Sequence, residues 1–258
     1  MAGPNQGEQI LQRNQPPGVP PLPLTGERTL PDVPEENYWF QRHLVVYRWV
    51  APQVAGKRVV DMGSGEGYGA ALLARQAREV VGVEANPEAH AHACARYKQP
   101  NLRFARELIE SYREPADAIV CLQTIEHLRD PEATLAHFSK LAPLLFISTP
   151  NVLTLAPPGA TRSDNPFHLR EYQPAEFEAL CRGSYREVAL FGLYHARKLA
   201  LHDLALRLGW DRLHRALRIT KPFYNRFTPA ITTADFKLRP GPGHRHSRAL
   251  DLIAVCRR

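Results

Sequence analysis

The chain has 258 residues, 44% of them hydrophobic, which suffices for one α/β domain with a substantial core. No run of about 18 apolar residues occurs, and no basic start precedes an apolar stretch, so we expect a cytoplasmic protein with no membrane partner. The net charge is +7, but fourteen Lys/Arg and only four Asp/Glu lie in residues 196–258. Arg outnumbers Lys by 27 to 6 and no basic run is interleaved with aromatic residues. This pattern favours a solvated face or an anionic-substrate rim over a nucleic-acid groove.

The N-terminal part differs in composition from the rest of the chain. Residues 1–23 carry Gln, Asn, Gly and a proline cluster with few apolar residues, so we predict a disordered or extended lead-in to a domain spanning 24–258. Over residues 35–50, aromatic and apolar residues recur at helical spacing, which predicts an amphipathic helix that covers one end of a sheet. The four cysteines lack metal-ligand spacing and fall in apolar patterns, which favours buried free thiols.

Strand-like and helix-like segments then alternate with short loops. The predicted strands are 58–62, 79–84, 102–106, 116–122 and 144–148, and the predicted helices are 68–77, 87–98 and 131–141. Such alternation predicts a doubly wound, Rossmann-like, mostly parallel α/β sheet with helices on both faces. A ligand of this fold belongs at the carboxyl ends of the strands.

After residue 151 the alternation loosens. Residues 152–172 form a loop long enough to be a functional lid, followed by a helix over 174–181 and a strand over 186–193. Residues 196–219 predict one or two amphipathic helices broken near Gly209, then a loop to Ser247 and a last strand over 249–256. The helical and basic insertion 196–247 is placed to shape a substrate pocket or a homodimer interface.

The stretch 59–69 carries the clearest chemical signal. Glycines at 63, 65 and 67 allow positive φ and close approach of a ligand to the backbone. A nucleotide phosphate and the adenosyl-amino acid S-adenosylmethionine (SAM) both suit such a turn, and Gly65, Gly67 and Ala70 satisfy the Gly-x-Gly-x-x-Ala dinucleotide pattern. Asp61 favours SAM, because a carboxylate repels a pyrophosphate and attracts an ammonium group.

Acidic and polar residues end the following strands. Glu84, 21 residues after Gly63, suits the two ribose hydroxyls, and Glu107 with Leu108 suits the adenine amino group and ring. On the N-terminal helix, Tyr38, Trp39, Arg42 and His43 are expected to close over the cofactor, with an aromatic face near the sulfonium and Arg42 near the cofactor carboxylate. The predicted cofactor contacts are Asp61, Gly63, Ser64, Gly65, Tyr68, Glu84, Ala85, Glu107, Leu108, Gln123, Tyr38 and Arg42.

Together these motifs resemble those of a known enzyme family. Asp61-x-Gly63-x-Gly65-x-Gly67, Glu84 and Ile125-Glu126-His127-Leu128 are similar in order and spacing to the class I SAM-dependent methyltransferases. Further segments resemble the actinobacterial sugar O-methyltransferases, nearest those of methylmannose polysaccharide biosynthesis: 24–29, 36–40, 165–168, 232–236 and 250–254. The resemblance implies methylation of a saccharide hydroxyl and admits a Mg²⁺ requirement. The chain departs from the family by lacking glycines before the fifth strand and by its more basic insertion.

A sugar hydroxyl needs its proton removed before it can attack a methyl group efficiently. His127 is our candidate general base, because it follows the fourth strand and histidine titrates near neutral pH. Glu126 could orient His127, hold the substrate or ligate a metal, and His168 in the predicted lid could bind sugar hydroxyls or share the proton transfer. Three alternatives stay open: a natural-product or nucleoside methyltransferase, an NAD-dependent oxidoreductase, and a non-catalytic SAM-binding regulator.

Overall fold

A computed structural model describes residues 10–258 of the chain. The strands are β1 (Arg58–Met62), β2 (Glu79–Val83), β3 (Leu102–Ala105), β4 (Ala118–Leu122), β5 (Leu144–Pro150), β6 (Glu187–His195), β7 (Phe236–Pro240) and β8 (Asp251–Arg257). The helices are α1 (Asn37–Val50), α2 (Tyr68–Leu73), α3 (Pro87–Arg96), α4 (Pro131–Leu141), α5 (Val152–Leu155), α6 (Pro174–Arg182), α7 (Arg197–Arg207), α8 (Trp210–Ala216) and α9 (Thr220–Phe227).

The strands form one eight-stranded sheet in the order β3-β2-β1-β4-β5-β8-β6-β7. Strands β1 to β5 pair in parallel, whereas β8 pairs antiparallel with both β5 and β6, and β7 pairs antiparallel with β6. All five residues of β4 are buried, as expected for a central strand covered on both faces. The predicted doubly wound, Rossmann-like fold is therefore confirmed.

Two apolar cores lie on the two faces of the sheet. One includes Leu135 and Phe138 of α4 with Phe177 of α6, packed against alternate residues of the central strands. The other includes Val46 and Tyr47 of α1 together with residues of α2. Helix α1 thus covers the sheet as predicted, and its aromatic side chains approach the turn after β1, since Tyr47 lies close to Gly69.

The C-terminal insertion holds more regular structure than we predicted. The helix break lies at Gly209, whose φ is +92°, but the predicted loop up to Ser247 contains α9 and β7. In β7, Phe236 and Leu238 pack on the core while Lys237 and Arg239 point the other way. This two-residue period is a strand signal, but it spans too few residues to stand out without its partner β6.

The lead-in is extended and packed over its described residues 10–23, so disorder is the wrong description for them. Gln12 N–H donates to Leu22 O (3.0 Å) and Leu24 N–H to Ile10 O (2.9 Å). Val19 and Leu22 are buried. Prolines favour an extended backbone, and these few buried apolar side chains are enough to pack the segment onto the rest of the protein. Residues 1–9 of the predicted lead-in lie outside the described part.

Candidate active site

The glycine turn after β1 is fastened to the end of β2. The N–H groups of Gly63 and Ser64 both donate to Val83 O at 2.9 Å. Gly63 has φ +76°, and a Cβ there would lie 2.7 Å from Thr124 Oγ1, so this glycine lets the turn pack on the loop after β4. Gly65 has φ +56°, and a Cβ there would meet no protein atom within 4 Å. The backbone at Gly65 therefore borders open space at the carboxyl end of the sheet, where a ligand fits.

Asp61 lies beneath this turn and is fully buried. Its Oδ1 accepts a hydrogen bond from the Tyr47 hydroxyl at 3.0 Å, whereas its Oδ2 has no partner among the described residues. Burial, with a smaller contribution from the negative charge of Glu84, raises the pKa of Asp61 to about 7. A buried carboxylate oxygen without a partner is costly, so a cationic group of a ligand would stabilise it. This observation fits the ammonium group of SAM.

Glu84 spans the turn at the end of β2. Its Oε2 accepts from Gly65 N–H and its Oε1 from Asn86 N–H, both at 2.8 Å. The Asn86 side chain in turn caps the N-terminus of α3 by accepting from Glu88 N–H and Ala89 N–H. The half-buried carboxylate is thereby held against the glycine turn. Its contact with a ribose stays a prediction.

The other predicted cofactor residues lie in more varied surroundings. Leu108 is 60% exposed after β3, and Gln123 adopts φ +53° after β4 with its amide donating to Ser148 Oγ. Half-buried Glu107 and exposed Ala85 follow β3 and β2. The buried Ser64 hydroxyl has no described partner and lies close to Gly82. Their cofactor contacts stay predictions.

The two tyrosines among the predicted cofactor residues contact other side chains. The Tyr68 hydroxyl contacts Thr29 Oγ1 (2.8 Å) and His43 Nδ1 (2.5 Å), and the Tyr38 hydroxyl contacts His195 Nε2 (2.8 Å).

Arg42 donates to both carboxylate oxygens of Asp251 (2.7 and 2.5 Å) and to Leu250 O (2.7 Å). The buried Asp251 carboxylate raises the pKa of this guanidinium despite its burial. Binding of the cofactor carboxylate by Arg42 stays a prediction, and the structure shows this group already engaged by the start of β8.

His127 lies in the short turn that follows β4. Its Nδ1 is 2.9 Å from Phe167 O, and a carbonyl oxygen can only accept, so Nδ1 carries the proton. Nε2 then keeps its lone pair. Partial burial lowers the pKa of His127, with the neighbouring His168 contributing in the same direction. The imidazole is therefore neutral at pH 7 and can accept a proton through Nε2.

His168 lies beside His127 in the predicted lid, with the two ring centroids 5.1 Å apart. Its Nδ1 bonds to Glu171 Oε1 at 2.7 Å, and its Nε2 lies 3.1 Å from the Asn165 amide nitrogen. Glu171 also accepts from both the N–H and the hydroxyl of Ser163. These bonds join residues within the loop and fix its local conformation.

Glu126 is buried between these histidines and the sheet. Its backbone oxygen accepts from Leu169 N–H (2.9 Å) and Arg170 N–H (3.1 Å), which docks the loop on the turn. Its Oε2 and the buried Thr149 hydroxyl are without hydrogen-bond partners among the described residues. Burial raises the pKa of Glu126 to about 8, so the carboxyl group is mostly protonated at pH 7 and can donate a hydrogen bond.

The Mg²⁺ requirement that the resemblance admits can be tested against this cluster. Potential ligand atoms of Glu126, His127 and His168 lie within 4.8 Å of one another, and no other such group of three occurs among residues 10–258. Mg²⁺ strongly prefers oxygen ligands, whereas this set offers two imidazole nitrogens and a single carboxyl group. The cluster does not fit Mg²⁺.

One acid that sequence reasoning missed lies inside the glycine turn. The buried carboxylate of Glu66 accepts from Gln12 Nε2, Arg96 Nη1 and the Tyr97 hydroxyl, and contacts His92 Nε2, all at 2.7 to 3.0 Å. It thus ties the lead-in and α3 to the turn. The four-residue spacing of His92 and Arg96 on one helical face was the available signal.

A Rossmann-like sheet with a glycine turn and an acid at the adjoining strand end defines the class of α/β enzymes that bind nucleoside cofactors. Within that class, a family model for a methyltransferase domain matches residues 38–203. A relative from Mycolicibacterium smegmatis, named probable S-adenosylmethionine-dependent methyltransferase, is 38% identical over 247 residues, covering 91% of this chain and 94% of its own. A relative of the same designation from Mycobacterium tuberculosis is 37% identical over 249 residues, covering 91% and 89%.

Among solved structures, a SAM-dependent methyltransferase from Thermotoga maritima superposes with a TM-score of 0.57 at 14% identity, covering 86% of this chain and 94% of that one. This likeness concerns the fold. The chain belongs to the methyltransferase domain family and is a SAM-dependent methyltransferase. The NAD-dependent alternative is thereby set aside. Within residues 10–258, no helix has the length and apolar character needed to cross a membrane.

Proposed function

We propose that this enzyme transfers the methyl group of SAM to a hydroxyl of a sugar or glycosylated small molecule, with His127 as general base. The observation that carries the proposal is the state of His127: its Nδ1–H is held by Phe167 O and its lowered pKa keeps Nε2 unprotonated at pH 7. A base of this kind suits a hydroxyl acceptor, whose proton has to leave as the oxygen attacks.

In the proposed reaction, the acceptor oxygen attacks the methyl carbon in line with the sulfonium. The new C–O bond forms as the C–S bond breaks, its electron pair stays on sulfur to give S-adenosylhomocysteine, and the hydroxyl proton moves to His127 Nε2. The buried Glu126 carboxyl stays mostly protonated next to this base. His168, whose ring nitrogens are engaged by Glu171 and Asn165, positions the loop beside His127. Because the sulfonium methyl group is already activated, the methyl donor needs only close approach to the acceptor oxygen and alignment with it.

The test is transfer of a labelled methyl group from SAM to a panel of simple glycosides, with and without EDTA. We expect His127→Gln to lower kcat by about 10²–10⁴-fold while SAM affinity, measured by calorimetry, is preserved. We expect the acidic limb of the wild-type pH profile to lie below about pH 6.5, the ordinary value for histidine, because burial lowers the pKa of His127.

His137→Gln is a matched control, because His137 is likewise half-buried and its Nε2 is 2.7 Å from a backbone oxygen, that of Tyr112. This variant should keep wild-type turnover. Unchanged turnover in His127→Gln would show that His127 is not the general base. Methylation of phenols or amines but of no glycoside would rule out the acceptor class. Loss of activity in EDTA, restored by a divalent cation, would show that the base acts with a metal and contradict the metal-free scheme.

A further inference from the structure

Exposed leucines are concentrated on the helices of the C-terminal insertion. Leu208 is 80% exposed, an unusual value for a side chain of this size. Half of the large exposed hydrophobic side chains of the described chain lie within 19 residues: Leu201, Leu204, Leu208, Leu213, Leu217 and Ile219. An apolar patch of this kind on a folded protein marks an interaction surface.

The leucines lie on the faces of α7 and α8 that point away from the sheet. At 100° per residue, Leu201 and Leu204 of α7 share one stripe with Leu208, which directly follows the helix, and Leu199 and His202 lie on the opposite side. Leu199 is buried, and the His202 ring stacks on Phe227 at 4.6 Å. Leu213 of α8 and Leu217, which directly follows that helix, are one turn apart. The inner faces therefore pack these helices against the rest of the protein, and the outer leucines stay exposed to solvent.

Basic residues are frequent in the segment that carries these leucines. Between residues 197 and 227 the chain carries eight basic residues, namely Arg197, Lys198, Arg207, Arg212, Arg215, Arg218, Lys221 and Arg226, against Asp203 and Asp211. Asp211 pairs with Arg215, and Lys198 pairs with Asp235. The remaining excess of positive charge makes an anionic partner favourable.

Apolar and cationic groups together select one kind of partner. In a two-fold dimer the same patch would face itself, so the arginines of the two copies would repel one another. A nucleic acid would satisfy the arginines and leave the leucines exposed. An anionic phospholipid bilayer satisfies both, with acyl chains for the leucines and headgroups for the arginines.

We propose that the outer face of α7 and α8 docks the enzyme on anionic phospholipid membranes. Such a peripheral contact lies in the plane of the interface and needs no membrane-spanning segment. The sequence-based expectation of no membrane partner rested on the absence of a spanning segment, which does not bear on this mode of binding. The proposal is independent of the acceptor and of the role of His127.

The test is flotation of the full-length protein with vesicles of phosphatidylglycerol or of phosphatidylcholine. We expect binding to the anionic vesicles that weakens at high salt, and little binding to the neutral ones. Leu204→Ser/Leu208→Ser/Leu213→Ser should lower binding at least tenfold, because the inserted apolar area is lost. Arg207→Gln/Arg212→Gln should lower it roughly thirtyfold, at about 1 kcal/mol for each arginine.

Leu11→Ser is the matched control, because Leu11 is an exposed leucine (46%) far from the insertion in sequence. It should float like the wild type. All variants should keep wild-type SAM affinity, which reports an intact fold. Failure of the wild type to bind anionic vesicles, or wild-type binding by the triple leucine variant, would overturn the proposal. So would a wild-type dimer in light scattering that the leucine substitutions dissociate, because the face would then join two copies.

Discussion

At Gly65 the conformation of the backbone and the space for a ligand coincide. The residue has φ +56°, its N–H donates to Glu84, and the direction in which a side chain would project is empty. Gly63 differs, because Thr124 already fills the corresponding space. The two glycines thus serve separate purposes: Gly63 allows packing within the protein, and Gly65 leaves room for the cofactor.

Gly65→Ala should therefore fold and bind SAM poorly. An alanine in the left-handed region costs about 1–2 kcal/mol, and the added methyl group would occupy space that we assign to the cofactor. Gly56→Ala is the matched control: Gly56 has φ +70° and equally open surroundings, but it precedes β1 at the other end of the sheet. We expect similar losses of thermal stability in both variants, with SAM affinity reduced at least tenfold only in Gly65→Ala. Equal affinities would contradict the assignment of Gly65.

Spacing along the chain was enough to predict where some candidate residues lie in the fold. It did not predict the hydrogen-bond partners of others. Asp61, Gly63 and Glu84 lie at adjoining strand ends, as parallel strands require. The bond between His127 and Phe167 joins residues 40 positions apart, and no local pattern encodes it. The partner of Arg42 was equally hidden, because Asp251 lies 209 residues further on. Contacts between distant segments depend on the packed fold and are invisible to periodicity.

Among the elements, the glycine turn is held from outside by the lead-in and α3. Glu66 is the common point: its carboxylate is fully buried and accepts from Gln12 of the lead-in and from Arg96 of α3. His92, equally buried, also contacts it. A buried carboxylate with several donors stabilises the fold only while all of them stay paired.

Glu66→Ala should lower the free energy of unfolding by roughly 3–5 kcal/mol, because Gln12, His92 and Tyr97 lose their buried partner at once. Arg96 keeps its pairing with Asp32. Glu35→Ala is the comparison, since Glu35 pairs with Arg13 through half-exposed side chains, and there we expect a change below about 1 kcal/mol. Urea unfolding measures both. Limited proteolysis should cut residues 10–33 faster in Glu66→Ala. Similar small losses in both variants would show that Glu66 is not the tie between these elements.

Element prediction succeeded where the hydrophobic pattern was long and repeated. The five parallel strands and α4 lie at the predicted places, because each pattern agrees with a buried strand or an amphipathic helix. It failed for α9 and β7. Helix α9 has no buried residue and is held by aromatic stacking on His202 of α7, and β7 needs β6 beside it. Both elements are stabilised by neighbours that local sequence does not reveal.

At the scale of the whole molecule, burial shifts the pKa of several groups so that their neutral forms are favoured. Burial raises the pKa of Asp61 to about 7 and that of Glu126 to about 8, and lowers the pKa of His43 to about 4. The site is thus prepared for a ligand that brings its own charge. SAM carries a sulfonium and an ammonium group against one carboxylate, so its net charge is positive.

SAM binding should therefore release protons. If the ammonium group lies near Asp61, the pKa of this carboxyl falls on binding, and the fraction protonated at pH 7, about one half for a pKa near 7, is lost to solvent. Because binding favours the ionised form, SAM affinity should rise with pH up to about 7 and then level off as far as Asp61 is concerned. Calorimetry in buffers of different ionisation enthalpy counts the protons. Asp61→Asn should remove this release, whereas Asp117→Asn, at a half-exposed carboxylate before β4, should keep it. Equal proton release from Asp61→Asn and the wild type would place the ammonium group elsewhere. Glu126→Gln would then show whether the released protons come from the Glu126 carboxyl, ionised by the nearby sulfonium.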